Sequence, residues 1–261
     1  DGFDISGPND NHGEDIIIVD CALEADDTYY GFRTRSVGTG FGNGRWINVH
    51  PYHQAAATNR MLSSFLVETS GNQFIGCHYE GGRQCLIDIG SRNHHSDAYI
   101  YAPFSTDPMA VMAGAHQYLQ GLIEDSVPTG SSCLQIGTVG LGLFNSHLDV
   151  TCVTAATNAV VVTNDSGRNT GTLKTVGSTN AFTGTFNDTT RFTIQRPNNV
   201  VERYCDNLGI GMGPSAGIAN PLHVRGAVVP AIIERYSADA SPAAVIVRKS
   251  RNATLGSHTV V

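Results

Sequence analysis

Four carboxylates, Glu68, Glu80, Asp88 and Asp97, fall within residues 68–97, with His78 and Arg83 between them. Two carboxyl groups about 5 Å apart cleave a glycosidic bond with retention, and a wider pair cleaves it with inversion. His78 and Arg83 are suited to proton transfer or charge stabilisation beside such a pair. Flat apolar faces for sugar rings would come from Trp46, the single tryptophan, and from Tyr29, Tyr30, Tyr99 and Tyr101. Each of these aromatics serves equally well as core or subunit interface. An acid at a strand end also commonly caps a turn or faces water, so both readings stand. Neither a GxSxG elbow nor an HExxH helix occurs.

The stretch that must position these groups is QFIGCHYEGGRQCLIDI, residues 73–89. Ile75, Cys77 and Tyr79 alternate with Gly76, His78 and Glu80. After Gly81-Gly82, Cys85, Ile87 and Ile89 alternate with Leu86 and Asp88. Period-2 alternation broken by glycines predicts short strands. With Ile75, Cys77 and Tyr79 inward, His78 and Glu80 point outward. The same order of apolar, any, small, any, large apolar, acid recurs at Val19–Glu24, Ile75–Glu80 and Phe144–Asp149. It places Asp20, Asn145 and His147 on outer faces and Glu24, Glu80 and Asp149 at one strand end. The three acids are 56 and 69 residues apart, a few coils of a parallel solenoid at roughly 20–25 residues each. Stacked coils would bury Cys21-like and Cys77-like side chains in one column. Three unrelated strands of a β-sandwich would give the same alternation.

Composition agrees with an all-β chain. Of 261 residues 41% are hydrophobic, enough for a core, while only 15% are charged and 29 are glycine. The net charge of −7, with no Lys/Arg run, argues against nucleic acid and anionic membranes as partners. No window is long and apolar enough for membrane insertion, and DGFDISGPND is no signal peptide. The chain starts without Met and in mid-pattern, and we read it as a piece of a longer protein. Cys21, Cys77, Cys85, Cys133, Cys152 and Cys205 form no CxxC pair of pairs, so no zinc site is expected. Cys21, Cys77 and Cys85 fit inward positions as small apolar fillers, consistent with assembly in a reducing cytoplasm. His94-His95 and the Asn9–Asn11 segment lack metal-site spacing. No metal and no cofactor is expected.

Along the chain, residues 1–125 read as parallel coils. Gly38–Gly44 has neither the Lys-Ser/Thr ending of a phosphate loop nor a following helix. Residues 55–64 are compatible with a short helix. Residues 109–125 predict a helix, since Val111, Ala115, Tyr118, Leu119 and Leu122 recur at helical spacing before Pro128 and Gly130. Residues 126–206 are strand after strand with tight polar turns, either further coils or a small sandwich. Residues 207–261 open with a Gly-rich connector and continue as a β-rich segment.

That last segment carries a resemblance. The run NPLHVRG at 220–226, followed by VIVRKSRNATLGSHTVV at 245–261, resembles the neck of bacteriophage tailspike and tail-fibre proteins. In that family the neck precedes a C-terminal intramolecular chaperone that drives trimerisation. Asn252-Ala253 stands where the family usually has Gly, and the chain stops at Val261 without the chaperone. DGFDI and FIGCHYEG are also similar to the family's coils. The resemblance implies a right-handed parallel β-helix, a β-stranded neck and a side-by-side homotrimer. It also implies a place in the virion tail among other phage tail proteins, assembly in the bacterial cytoplasm, and attachment to a host surface polysaccharide. Some members also cleave the polysaccharide. Depolymerase activity on the same β-helix and a purely structural shaft are the alternatives.

Overall fold

The computed structural model describes residues 2–6, 11–19, 29–35, 42–52, 61–126, 128–187 and 189–195. It also describes the short strands 201–204, 208–209, 222–223, 249–250 and 258–259. Residues 1–208 form one compact unit and 209–261 a second. The described residues are all-β, with parallel strands in stacked sheets and no helix. In the second unit Lys249–Ser250 pairs antiparallel with His258–Thr259. Most residues that carry the tailspike resemblance lie outside the described ones, as do Asp20, Cys21, Glu24 and Cys205.

Two long sheets share the first unit, and their strands alternate along the chain. Sheet 1 runs Phe3–Ser6, Tyr30–Arg35, Ser63–Val67, Gln84–Asp88, Ala110–Met112, Leu134–Ile136, Asn158–Val162 and Asn180–Gly184. Sheet 2 runs His12–Glu14, Arg45–Ile47, Gln73–Ile75 with His78–Glu80, His94–Tyr101, Tyr118–Glu124, His147–Val153, Thr170–Val176 and Arg191–Gln195, then an antiparallel Val201–Tyr204. A short third sheet joins Gly114–Ala115, Leu143–Phe144 and Asp165–Gly167, and Ile17–Val19 pairs with His50–Tyr52. Strands 134–136, 158–162 and 180–184 therefore extend sheet 1, and strands 147–153, 170–176 and 191–195 extend sheet 2.

In-register parallel pairing stacks like on like. One column of sheet 1 reads Phe32, Phe65, Leu86, Ala110, Leu134, Val160, Phe182. The facing column of sheet 2 reads Trp46, Phe74, His95, Leu119, Leu148, Gly171, Phe192. Most of these side chains are buried in one continuous core. Each large apolar one contributes about 1.5–3 kcal/mol. Among the described residues Cys77, Cys85, Cys133 and Cys152 are free and buried. Burial pushes the Cys77 thiol up to about 11, so these cysteines behave as apolar filler rather than as thiolates.

Corners set the phase of every coil. Asn43, Gly71, Arg92, His116, Asn145 and Arg168 all have positive φ, between 30° and 79°. The amides of Asn43 to Asn145 each donate to a carbonyl of the next coil, at Ser70, Ser91, Ala115, Phe144 and Gly167. After these residues comes a buried polar ladder, Gly44, Asn72, Asn93, Gln117, Ser146 and Asn169. The Asn72 Oδ1 accepts from Gly44 N (3.1 Å), Asn93 Oδ1 from Asn72 N (2.9 Å), and Asn169 Oδ1 from Ser146 N (2.9 Å). Left-handed backbone costs about 1–3 kcal/mol for a non-glycine residue. The repeated inter-coil hydrogen bonds offset that cost.

These corners explain three differences from the sequence expectations. Residues 109–125 are strands, not a helix, because positive φ at Gly114 and His116 breaks the segment twice. The residues at helical spacing there do not share a face: Val111 and Leu119 are buried, while Ala115, Tyr118 and Leu122 are half-exposed. In residues 73–80 the corner at Gly76 shifts the alternation, so Phe74, Cys77 and Tyr79 are inward and Ile75 is not. In residues 84–88 the inward pair is Leu86 and Asp88, both fully buried, and Ile87 turns outward. Asp88 is thus an interior residue, not a surface carboxylate.

Glycine is required at Gly114. Its φ is +97°, and a Cβ there would overlap the carbonyl oxygen of Gly90 in the adjacent coil. Gly114→Ala is expected to lose roughly 3 kcal/mol through backbone strain and steric overlap, read as a lower denaturation midpoint. An unchanged midpoint would refute this account of the corner.

Candidate functional site

The outer face of sheet 2 gathers the groups most able to do chemistry. Three successive coils share one local pattern: Trp46-Ile47-Asn48-Val49-His50, Phe74-Ile75-Gly76-Cys77-His78 and His95-Ser96-Asp97-Ala98-Tyr99. The third residue of each has φ between 52° and 61°. The first and fourth point inward and are buried. The fifth therefore emerges outward on every coil, which brings His50, His78 and Tyr99 side by side. Two residues later Tyr52, Glu80 and Tyr101 do the same, and Tyr101 pairs in register with Glu124 of the next strand.

Tyr99 and Tyr101 stack with ring centres 4.2 Å apart at 20°. The Tyr101 hydroxyl donates to Glu80 Oε2 (2.7 Å) and the Tyr99 hydroxyl to Glu124 Oε2 (3.0 Å). His50 Nε2 lies 2.7 Å from the same Glu80 oxygen and 3.3 Å from the Tyr101 hydroxyl. A carboxylate only accepts, so His50 carries its proton on Nε2. The His50 ring lies 4.9 Å from that of His78 and 5.1 Å from that of Tyr52, and His78 meets Tyr99 edge-on at 5.8 Å. His50 and Glu80 are each 25% exposed, so the cluster is open to solvent. Burial, then the neighbouring His50, lowers the His78 pKa, against the opposing pull of Glu80. Burial and the hydrogen bonds to Glu124 and Glu80 raise both tyrosine pKa values. Both hydroxyls stay protonated as donors.

A second stack lies at the other end of the same strands. His94, Tyr118 and His147 are consecutive in register, with ring centres 4.2 and 5.5 Å apart and nearly parallel planes. His147 Nε2 lies 2.8 Å from Asp149 Oδ2, and its Nδ1 lies 2.9 Å from Thr170 Oγ1. Sheet 2 thus presents two aromatic rows along the stacking direction, each spaced by one strand.

Of the residues singled out from sequence, His78, Glu80, Tyr99 and Tyr101 come together here. Glu68 does not: it ion-pairs with Arg33 at 2.9 Å beside sheet 1. Tyr30, under the Arg33 guanidinium, is on sheet 1 and Tyr29 directly precedes that strand. Arg83 pairs with Asp107 in the loop beyond Glu80. Asp97 is exposed at its corner, two residues before Tyr99. Trp46 is 3% exposed and packs on Phe32 and Phe3, so it is core and not a sugar platform. Asp88 is sealed inside with His95. Missed were His50, Tyr52, Glu124, Tyr118 and His147. The three-coil pattern ending in His50, His78 and Tyr99 was the signal that could have found the first of them. Among the described residues no group of three His, Cys, Asp or Glu side chains could hold a metal ion. Comparison with protein-family models, with curated proteins and with solved structures gives no match.

Proposed function

We propose that this chain is part of a phage tailspike or tail fibre, a right-handed parallel β-helix that attaches the virion to a polysaccharide of the host surface. In this reading three copies stand side by side, joined through the neck at residues 207–261. The observation that carries it is the outward Tyr99–Tyr101 stack, with its hydroxyls held by Glu80 and Glu124 and with His50 and His78 alongside. Stacked rings offer apolar faces to sugar C–H groups, and fixed carboxylates accept sugar hydroxyls. An outward ring recurs at the Tyr99 position on three coils, as His50, His78 and Tyr99, which suits a repeating glycan laid across them. Supporting the family reading are the neck-like motifs, the low charge and the stacked parallel strands.

The test is to incubate the protein with host-derived polysaccharide and follow chain length, reducing ends and co-elution. Intact glycan that co-elutes with the protein is the expected result. A protein that neither binds nor shortens any host polysaccharide would leave only the shaft reading. Light scattering of the purified protein checks the trimer, and a mass of one chain would count against it.

One observation favours cleavage as a second reading. Glu80 and Glu124 flank the Tyr101 strand on one face. Two strand spacings are about 9.5 Å, at the upper end of the separation used for inversion. If the glycan is shortened, Glu80→Gln is expected to slow cleavage by at least a hundredfold with the fold intact. Undiminished cleavage by that variant would exclude Glu80 as a catalytic group.

A further inference from the structure

The charge of this face limits what it can hold. Strands His78–Glu80, His94–Tyr101, Tyr118–Glu124 and His147–Val153 lie next to one another in sheet 2. Together they contain Glu80, Asp97, Glu124 and Asp149 and no lysine or arginine. Arg83, three residues beyond Glu80, is engaged by Asp107, and the cations nearest along the sheet are set apart. Arg45 lies two strands away, through Gln73, from the strand that begins at His94. Lys174 is on the strand next to His147–Val153, two strands from the one that carries Glu124 and three from Tyr99, through Leu122 and Thr151. Arg92 sits at the corner before the His94–Tyr101 strand, roughly 23 Å of extended chain from Tyr99 and roughly 30 Å from Tyr101. His78 adds no positive charge at neutral pH, because burial and His50 lower its pKa.

Resting on the glycan-binding reading above, we infer that the outer face of sheet 2 takes a polysaccharide that is uncharged or carries amino sugars, and excludes an acidic one. Glu80 and Glu124 keep free acceptor capacity after receiving the tyrosine hydroxyls. They take hydrogen bonds from sugar hydroxyls, or an ammonium that also rests against the tyrosine faces. A uronate or sialate carboxylate brought within about 5 Å of either one meets like charge at a partly exposed surface, where water screens only part of the repulsion. No cation stands on these four strands to compensate. The expected discrimination against an acidic chain of similar backbone is roughly ten- to hundredfold.

The experiment is an array of bacterial surface polysaccharides, neutral, aminated and acidic, probed with the purified protein and with the E80Q/E124Q variant at pH 7.5. The wild type is expected on neutral or aminated spots, and raising the salt should narrow its preference. The variant should gain acidic spots at least tenfold. Wild-type binding to acidic spots as tight as to neutral ones overturns the inference, as does a folded variant that gains none. If the variant fails to fold, the wild-type preference and its salt dependence decide alone. Binding to no spot at all refutes the glycan reading itself, a result distinct from acidic binding.

Discussion

Replacing Asp88 by alanine is expected to destabilise the first unit by about 3–5 kcal/mol, the cost of leaving several buried hydrogen-bond donors without their acceptor. Asp88 occupies a column of sheet 1 between Val67 and Met112, where its neighbours are apolar. His95 occupies the facing column of sheet 2 between Phe74 and Leu119 and stacks on Phe74 at 4.6 Å. Both are fully buried, and they meet across the interior with His95 Nε2 at 2.8 Å from Asp88 Oδ2. The other Asp88 oxygen accepts from Asn93 Nδ2 (2.9 Å), Gln117 Nε2 (2.9 Å) and Gly90 N (3.0 Å). His95 Nδ1 faces the Tyr79 hydroxyl at 2.7 Å. Alanine would strand these donors in an apolar core. Asparagine is different: its amide would donate to His95 Nε2, the imidazole would take the other tautomer, and Nδ1–H would donate to the Tyr79 oxygen. Asp88→Asn is therefore expected to cost about 1 kcal/mol. Denaturation of the two variants side by side decides it. An Asp88→Ala midpoint close to wild type would mean that the network contributes little.

The same pair shows what could and could not be read ahead of the structure. Period-2 alternation identified strands at 73–80 and 84–88, and it placed His78 and Glu80 outward. It set Asp88 outward because Ile87 and Ile89 were the better apolar candidates. An inward aspartate is stable only with partners from other coils, and single-strand patterning cannot show them. Corners had a second effect. Ile75–Glu80 and Phe144–Asp149 match because each passes a left-handed residue, Gly76 or Asn145, into a strand. Yet Gly76 follows Gln73–Ile75 within sheet 2, whereas Asn145 lies between the third sheet and sheet 2. Glu80 pairs with Tyr101 and Asp149 with Gln120, which are different columns. The spacing of 69 residues does span three coils, but it joins two acids that stand in different columns. The helical pattern at 109–125 failed for the same reason, since two corners phased three short strands into a spurious stripe. Trp46 was not legible as core: only the corner at Asn48 sets it inward, as the corner at Gly76 does for Phe74.

Tyr99→Ala combined with Tyr101→Ala is expected to weaken polysaccharide binding about a thousandfold, while the melting transition stays close to wild type. Central aromatic anchors lose about 2 kcal/mol each on truncation, and about 4 kcal/mol corresponds to roughly a thousandfold in affinity. Stability should hold because these rings face outward, while Ala98 and Ile100, which alternate with them, fill the core. The hydroxyls add a separate effect. Glu80 and Glu124 fix the ring orientations before any ligand arrives, so little side-chain entropy is lost on binding. Tyr101→Phe keeps the ring and removes only its bond to Glu80. It should cost no more than about tenfold, since one hydrogen bond to a charged group contributes about 1.5 kcal/mol. Titration calorimetry on a bound polysaccharide separates the two contributions. If the alanine pair binds as the wild type does, the contact face lies elsewhere. The His94–Tyr118–His147 row, the other aromatic stack on this sheet, would then be the next to truncate.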